Sequence, residues 1–229
     1  MGHVDRMGLA RRLYNSLAGR IGRRRAKIFV IGMNKTGTTS VQKALLDLGF
    51  VVGDQRTAEL LLDDLIHGDY TGLFRYCRTA QAFQDIPFSC PGVYQALDRR
   101  FPGSKFILTI RDHPEQWYES LCSFHTKVFG VDGQLPTSRD LITCKLVSPG
   151  WAYRCLNHLF PGVPLYDKES YLKVYSAHSQ QVTAYFRTRP ADLLVLNVAE
   201  PGAYQRFCAF LNRRPAYEAF PWENRTAPR

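Results

Sequence analysis

No run of apolar residues in this chain approaches the roughly twenty that a membrane-spanning helix requires, which removes helical membrane proteins from consideration. The six cysteines contain no C-x-x-C pair, and the six histidines form no H-x-x-x-H or Cys/His cluster. A zinc or other transition-metal site is therefore not legible, and no metal is expected. Low-complexity segments are missing too, with Gly at 17 and Pro at 13 among 229 residues, so collagen-like and largely disordered classes fall away. No apolar stretch follows the N-terminal arginines as it would in a secretory signal. The expectation is a cytoplasmic chain with reduced, mostly buried thiols.

The chain carries a net positive charge, but most of that excess lies outside the body of the chain. Residues 1–27 hold seven arginines and Lys27 against Asp5 alone, which accounts for +7 of the formal +10. A nucleic-acid-binding domain spreads its Lys and Arg over a folded face, so no nucleic-acid partner is expected. Within the leader, Leu9, Leu13, Leu17 and Ile21 recur every four residues among the arginines. That is the pattern of a short basic amphipathic helix suited to peripheral contact with an anionic membrane, and also of a solvated tail or an organelle transit peptide. The division expected is a basic leader over residues 1–26 and one domain over residues 27–229.

Inside that domain the pattern alternates. Lys27 to Ile31 (KIFVI) is an unbroken β-branched run of the kind found in a parallel strand buried on both faces. Thr38 to Leu48 then places Val41, Ala44, Leu45 and Leu48 on one helical face, and Gly49 stops the helix. Lys105 to Ile110 (KFILTI) is a second strand, followed by Pro114 at a helix start and by Trp117, Leu121, Phe124 and Val128 on one face. Leu193 to Val198 and Ala82 to Ile86 complete the strands, and a helix follows over about residues 203–211. Further helical stretches are expected near 57–67, 91–100, 137–160 and 168–188. Strands alternating with helices predict a three-layer α/β domain with a mainly parallel central sheet.

The most informative segment is Gly32-Met33-Asn34-Lys35-Thr36-Gly37-Thr38-Thr39-Ser40, set between the first strand and its helix. Loop amides and a helix N-terminus present N–H groups and a positive dipole end to one spot, to which Lys35 adds a full charge and Thr38 and Thr39 add hydroxyls. An anion is favoured there. A Walker A loop places its lysine directly after the second glycine, whereas here Thr38 follows Gly37 and the lysine precedes it. A second basic position, Arg111, stands at the end of KFILTI, and Ser120 lies about two turns into the next helix. Both belong to the same sheet edge as the first loop. Read as structure only, the first segment is a Gly/Thr turn, Arg111-Asp112 is a strand-end ion pair and Asp85 is a cap or loop carboxylate.

The sequence KTGTTS after a strand resembles the phosphate-binding loop of sulfotransferases that use 3'-phosphoadenosine-5'-phosphosulfate (PAPS). The segment RDHPEQWYES is similar to that family's 3'-phosphate motif, with an Arg-to-Ser spacing of nine in place of the usual eight, through His113. Asp85-Ile86-Pro87 lies where many sulfotransferases carry His-x-Pro and one soluble subfamily carries Asp-x-Pro. LLVLNV, FCAFL and AFPWEN resemble that subfamily as well, so the likeness extends discontinuously over residues 27–226.

The resemblance implies a P-loop NTPase-like sulfotransferase fold with PAPS as co-substrate and no metal. It also implies that Lys35, Thr36, Gly37, Thr38, Thr39, Ser40, Arg111 and Ser120 hold the nucleotide. Lys35 would stabilise the leaving phosphate, and Asp85 would take the proton of the acceptor, with His125 the rival base. The acceptor expected is a small-molecule or glycan-type hydroxyl or amine. Residues 53–80 and 130–160, with Trp151, are the expected acceptor segments, whereas the aromatic stripe Tyr171, Tyr175, His178, Val182 and Tyr185 reads as core. A small P-loop kinase, with Asp112 as its magnesium carboxylate, and a silent nucleotide-binding or membrane-docking module are the alternatives. The main reading requires Arg111 and Lys35 to face one cavity.

Overall fold

Four short apolar segments make the sheet: Ile28–Val30 (β1), Ala82–Gln84 (β2), Lys105–Ile110 (β3) and Leu193–Asn197 (β4). They pair in the order β2-β1-β3-β4 with every pairing parallel, in a computed structural model that describes residues 26–221. The amphipathic leader pattern falls outside the described residues, as do Trp222, Glu223 and Asn224 of the AFPWEN segment. Strand β1 shows why its sequence is unbroken. Phe29 packs against Phe83 and Phe106 on one face, while Ile28 and Val30 join Val41, Leu45 and Ile107 on the other. A strand whose alternate side chains both meet protein has no place for a polar residue.

Helices cover both faces, giving the expected three-layer α/β arrangement. Helix α1 (Thr38–Asp47) packs with the helix after β4 (Ala203–Phe210, α10) on the Ile28 face. The Phe29 face lies under α2 (Gln55–Glu59), α3 (Leu62–Ile66), α4 (Thr71–Tyr76), α5 (Val93–Arg100), α6 (Pro114–Phe129), α7 (Ser138–Thr143), α8 (Trp151–Leu159) and α9 (Lys168–Tyr185). Among the described residues no helix is long and apolar enough to cross a membrane.

Three expectations need correction. The helix near 57–67 starts early, because Asp54 accepts from the Thr57 amide, and divides at Leu60-Leu61 into the two short helices α2 and α3, and α4 is a further helix between them and β2. The stretch 137–160 is broken between α7 and α8: α7 ends at Thr143, where Cys144 turns extended at ψ 135°, and the helix resumes only after Gly150, which takes a φ of 69°. On α6 the buried face is Trp117, Leu121 and His125, with Val128 at 37% exposure. The i, i+4 row of the helix won over the apolar i+3 alternatives.

The order of the strands decides where a ligand can bind. The chain leaves β1 toward β2 and leaves β3 toward β4, so the loops after these two neighbouring strands diverge and open a crevice at their carboxyl ends. At the mouth of that crevice β1 and β3 lie very close. A Cβ added to Gly32 would sit 2.1 Å from Thr109 Oγ1 and 2.3 Å from the Thr109 carbonyl oxygen. Replacing Gly32 by alanine is expected to cost about 3 kcal/mol through overpacking, read as the shift of the urea midpoint at constant m. A loss below about 0.5 kcal/mol would place it with ordinary surface substitutions.

Candidate active site

The loop after β1 is built by two residues in left-handed backbone, Lys35 at φ 70° and Gly37 at φ 98°. Alternation of left-handed and right-handed residues turns successive amides toward one side, the concavity that binds anions. Gly37 needs its hydrogen as well as its φ, because a Cβ would lie 2.6 Å from Val198 Cγ2. Two donors from the Arg111 side of the crevice pin the loop. Trp117 Nε1 donates to the Asn34 carbonyl over 3.1 Å, and Arg111 Nε donates to the Lys35 carbonyl over 2.7 Å. Helix α1 starts directly after the loop with no side-chain cap and no acidic residue in its first turn. Its first amides and positive dipole end are thus left for a ligand.

These groups surround a cavity of about 250 Å³, whose wall includes Lys35, Gly37, Thr38, Thr39, Ser40, Asp85, Arg111 and Ser120. Thr36 is the predicted residue that does not reach it. Its hydroxyl turns inward to the Met33 carbonyl and to Thr109 Oγ1, and the residue is fully buried. His113, the extra residue in the Arg-to-Ser spacing, stands outside α6 in extended backbone and accepts the Gln116 amide at Nδ1. Consequently α6 runs regularly from Pro114, and Ser120 stays on the cavity side.

Electrostatics at the site are dominated by burial. The Lys35 ammonium sits 3.9 Å from the centroid of the Phe124 ring. Desolvation lowers its pKa, partly offset by Asp85 and reinforced by Arg111. Asp85, at φ 61°, accepts from the Ile86 amide at 2.9 Å through Oδ1 and from the Thr38 hydroxyl at 3.1 Å through Oδ2. Desolvation raises its pKa above the ordinary carboxylate value, against the pull of those two donors and of Lys35. The Thr38 hydroxyl proton is accordingly committed to Asp85. His125 is 3% exposed, and burial together with Lys35 pushes its pKa down to about 4, so the ring is neutral at pH 7.

The rest of the wall is largely apolar, built by Phe124 and Phe129 of α6, Leu146 and Val147 of the α7–α8 connection, and Trp151 and Leu156 of α8. Arg56 and Glu59 of α2 add a 3.4 Å ion pair, and Trp151 Nε1 donates to the Glu59 carbonyl at 2.9 Å. This places Trp151 and parts of both expected acceptor segments at the cavity. The pairing of α2 with α8, 92 residues apart, is tertiary and leaves no local sequence signal. The aromatic stripe on α9 lies in the core, where His178 Nε2 meets the Ile31 carbonyl at 2.9 Å and Tyr175 stacks on Trp117.

Among the described residues, no group of three or more His, Cys, Asp or Glu is arranged to hold a metal ion. A search of curated proteins found no match. The model of one protein family, described as a sulfotransferase domain, matches residues 27–228, which takes in all four strands, the loop after β1 and the Arg111–Ser120 segment. The chain belongs to that sulfotransferase family.

Proposed function

We propose that the protein transfers the sulfuryl group of PAPS to a hydroxyl, or an amine, of its acceptor and releases 3'-phosphoadenosine-5'-phosphate. The observation that carries the reading is the 2.7 Å bond from Arg111 Nε to the Lys35 carbonyl. It ties two separate strand-helix junctions together, and Lys35 and Arg111 both line one cavity, as a nucleotide phosphorylated at both 3' and 5' positions demands. In this reading the amides of the loop and of α1 hold the 5'-phosphate, and Arg111 with Ser120 holds the 3'-phosphate.

The chemistry then divides between two side chains. The acceptor oxygen forms a bond to sulfur as the bond from sulfur to the bridging phosphate oxygen breaks. Asp85 takes the acceptor proton, and Lys35 stabilises the negative charge left on the phosphate. The raised pKa of Asp85 suits a base working near neutrality better than an ordinary surface carboxylate would. An acceptor with an apolar body beside its hydroxyl fits the Phe129, Leu146, Val147 and Leu156 side of the cavity better than a glycan does. A kinase would need Asp112 for magnesium, but its oxygens are engaged by Asn197 Nδ2 at 2.6 Å and Gln116 Nε2 at 2.9 Å.

A thermal melt tests the reading. Stabilisation by a bound ligand grows with its concentration relative to Kd, so 3'-phosphoadenosine-5'-phosphate without metal is expected to raise Tm by several degrees. ADP with magnesium is expected to do little. The reverse preference would favour a kinase and overturn the proposal.

A further inference from the structure

His125 is engaged on one side only. Its Nδ1 lies 2.9 Å from the Tyr166 hydroxyl, with the two rings edge to face at 5.7 Å. Tyr166 is held for this contact. Its backbone is left-handed at φ 60°, and its carbonyl accepts from the Tyr118 hydroxyl at 2.7 Å. Among the described residues, the Tyr166 hydroxyl makes no other hydrogen bond. Burial also pushes the phenol pKa up, so it keeps its proton. A half-buried hydroxyl proton needs an acceptor, and the one within reach is Nδ1.

The tautomer follows. A neutral imidazole that accepts at Nδ1 carries its proton on Nε2. Nε2 has no hydrogen-bond partner among the described residues. The ring helps to form the cavity wall, beside Lys35 and Phe124. The other rings against it are those of Phe124 and Phe129, so Lys35 and Tyr166 are its titratable neighbours.

We infer that His125 is a fixed neutral hydrogen-bond donor to the transferring sulfuryl group, with Tyr166 as the positioning residue that sets its tautomer. This rests on the sulfotransferase reading above and assigns no proton transfer to the ring. As the sulfur–bridging oxygen bond breaks, the sulfuryl oxygens lie between Lys35 and the acceptor side of the cavity, and Nε2–H donates to one of them. The proton stays on the ring throughout, while that of the acceptor goes to Asp85. A donor with no net charge adds to Lys35 without the repulsion that an imidazolium would bring beside that ammonium.

The test has two independent readouts. In the full chain labelled with ¹⁵N-histidine and assigned with His125→Gln, His125 is expected to be neutral and protonated on Nε2 from pH 5 to pH 8. Tyr166→Phe should turn this into a tautomer mixture. A proton on Nδ1, or a charged ring at pH 6, overturns the assignment. In transfer assays His125→Ala is expected to lower kcat about 10²-fold with unchanged affinity for 3'-phosphoadenosine-5'-phosphate. His125→Gln, whose amide nitrogen reaches the Nε2 position, should recover part of the loss and keep the acid limb of the pH profile. Wild-type kcat in His125→Gln and His125→Ala alike overturns the donor role, and loss of the acid limb in His125→Gln makes His125 the base instead. If the wild type fails to bind the nucleotide at all, the sulfotransferase reading fails with this step, while the tautomer result stands by itself.

Discussion

Replacing Lys35 by alanine is expected to lower kcat for sulfuryl transfer by about 10³-fold, the range seen when a preorganised donor to developing charge is removed. The size follows from where the ammonium sits. It is partly desolvated, resting 3.9 Å from the Phe124 ring centroid, and charge in such a site acts through far less dielectric screening than in water. Nothing nearby can replace it, since the Arg111 guanidinium is tied through Nε to the Lys35 backbone carbonyl and is assigned to the other end of the nucleotide. The fold is not expected to suffer. Alanine inherits the left-handed φ of 70° that lysine already occupies. The depressed pKa of Lys35 means that its charged form is disfavoured by folding, so the variant should melt no lower than the wild type at pH 7. The check is the rate of label transfer from PAPS to any acceptor that a screen supplies, and a loss below tenfold would remove Lys35 from the reaction.

Asp85→Asn has the second largest expected effect, a fall in kcat of about 10²- to 10³-fold for loss of a general base. It also separates activity from stability. The folded-state pKa of Asp85 is raised above the ordinary 3.8 of a free aspartate, with burial the main cause. Its protonated form is thus the one that folding favours. The stabilisation this gives is complete below about pH 3.8 and is lost as pH rises through the folded-state value. Above that folded-state value the wild type bears an unfavourably buried carboxylate and the amide variant does not. Asp85→Asn should therefore melt higher than the wild type in that range, with the gap closing as pH falls from the folded-state value of Asp85 toward about 3.8. Asparagine tolerates a φ of 61° well, so backbone strain does not blur the comparison. Wild-type activity should rise with pH through the raised pKa and the variant should lose that limb. A near-normal rate would remove Asp85 as base.

Much of this arrangement is legible in the sequence because it is local. KIFVI and KFILTI announce strands buried on both faces, and Gly37 and Pro114 mark where their following helices start. The resemblance of KTGTTS to a phosphate loop holds within nine residues. What the sequence hides is tertiary. Thr36 belongs to the loop by its position, yet its hydroxyl serves the seam between β1 and β3 through Thr109. His125 sits on α6 among apolar neighbours, and only Tyr166, 41 residues away, fixes its tautomer. The break between α7 and α8 begins at Cys144, ahead of Ser148-Pro149-Gly150, and helical periodicity alone overruns it. The acceptor wall joins α2, α6 and α8, and no periodicity connects Glu59 with Trp151.

Calorimetric titration compares 3'-phosphoadenosine-5'-phosphate with 5'-AMP, without metal, on the wild type and on Arg111→Ala. Two junctions gripping opposite ends of one ligand require the doubly phosphorylated nucleotide to bind the wild type at least about tenfold more tightly, equivalent to about 1.4 kcal/mol. That advantage should disappear in Arg111→Ala. Equal affinity of the wild type for both nucleotides, or an advantage that survives the loss of the guanidinium, would contradict the account.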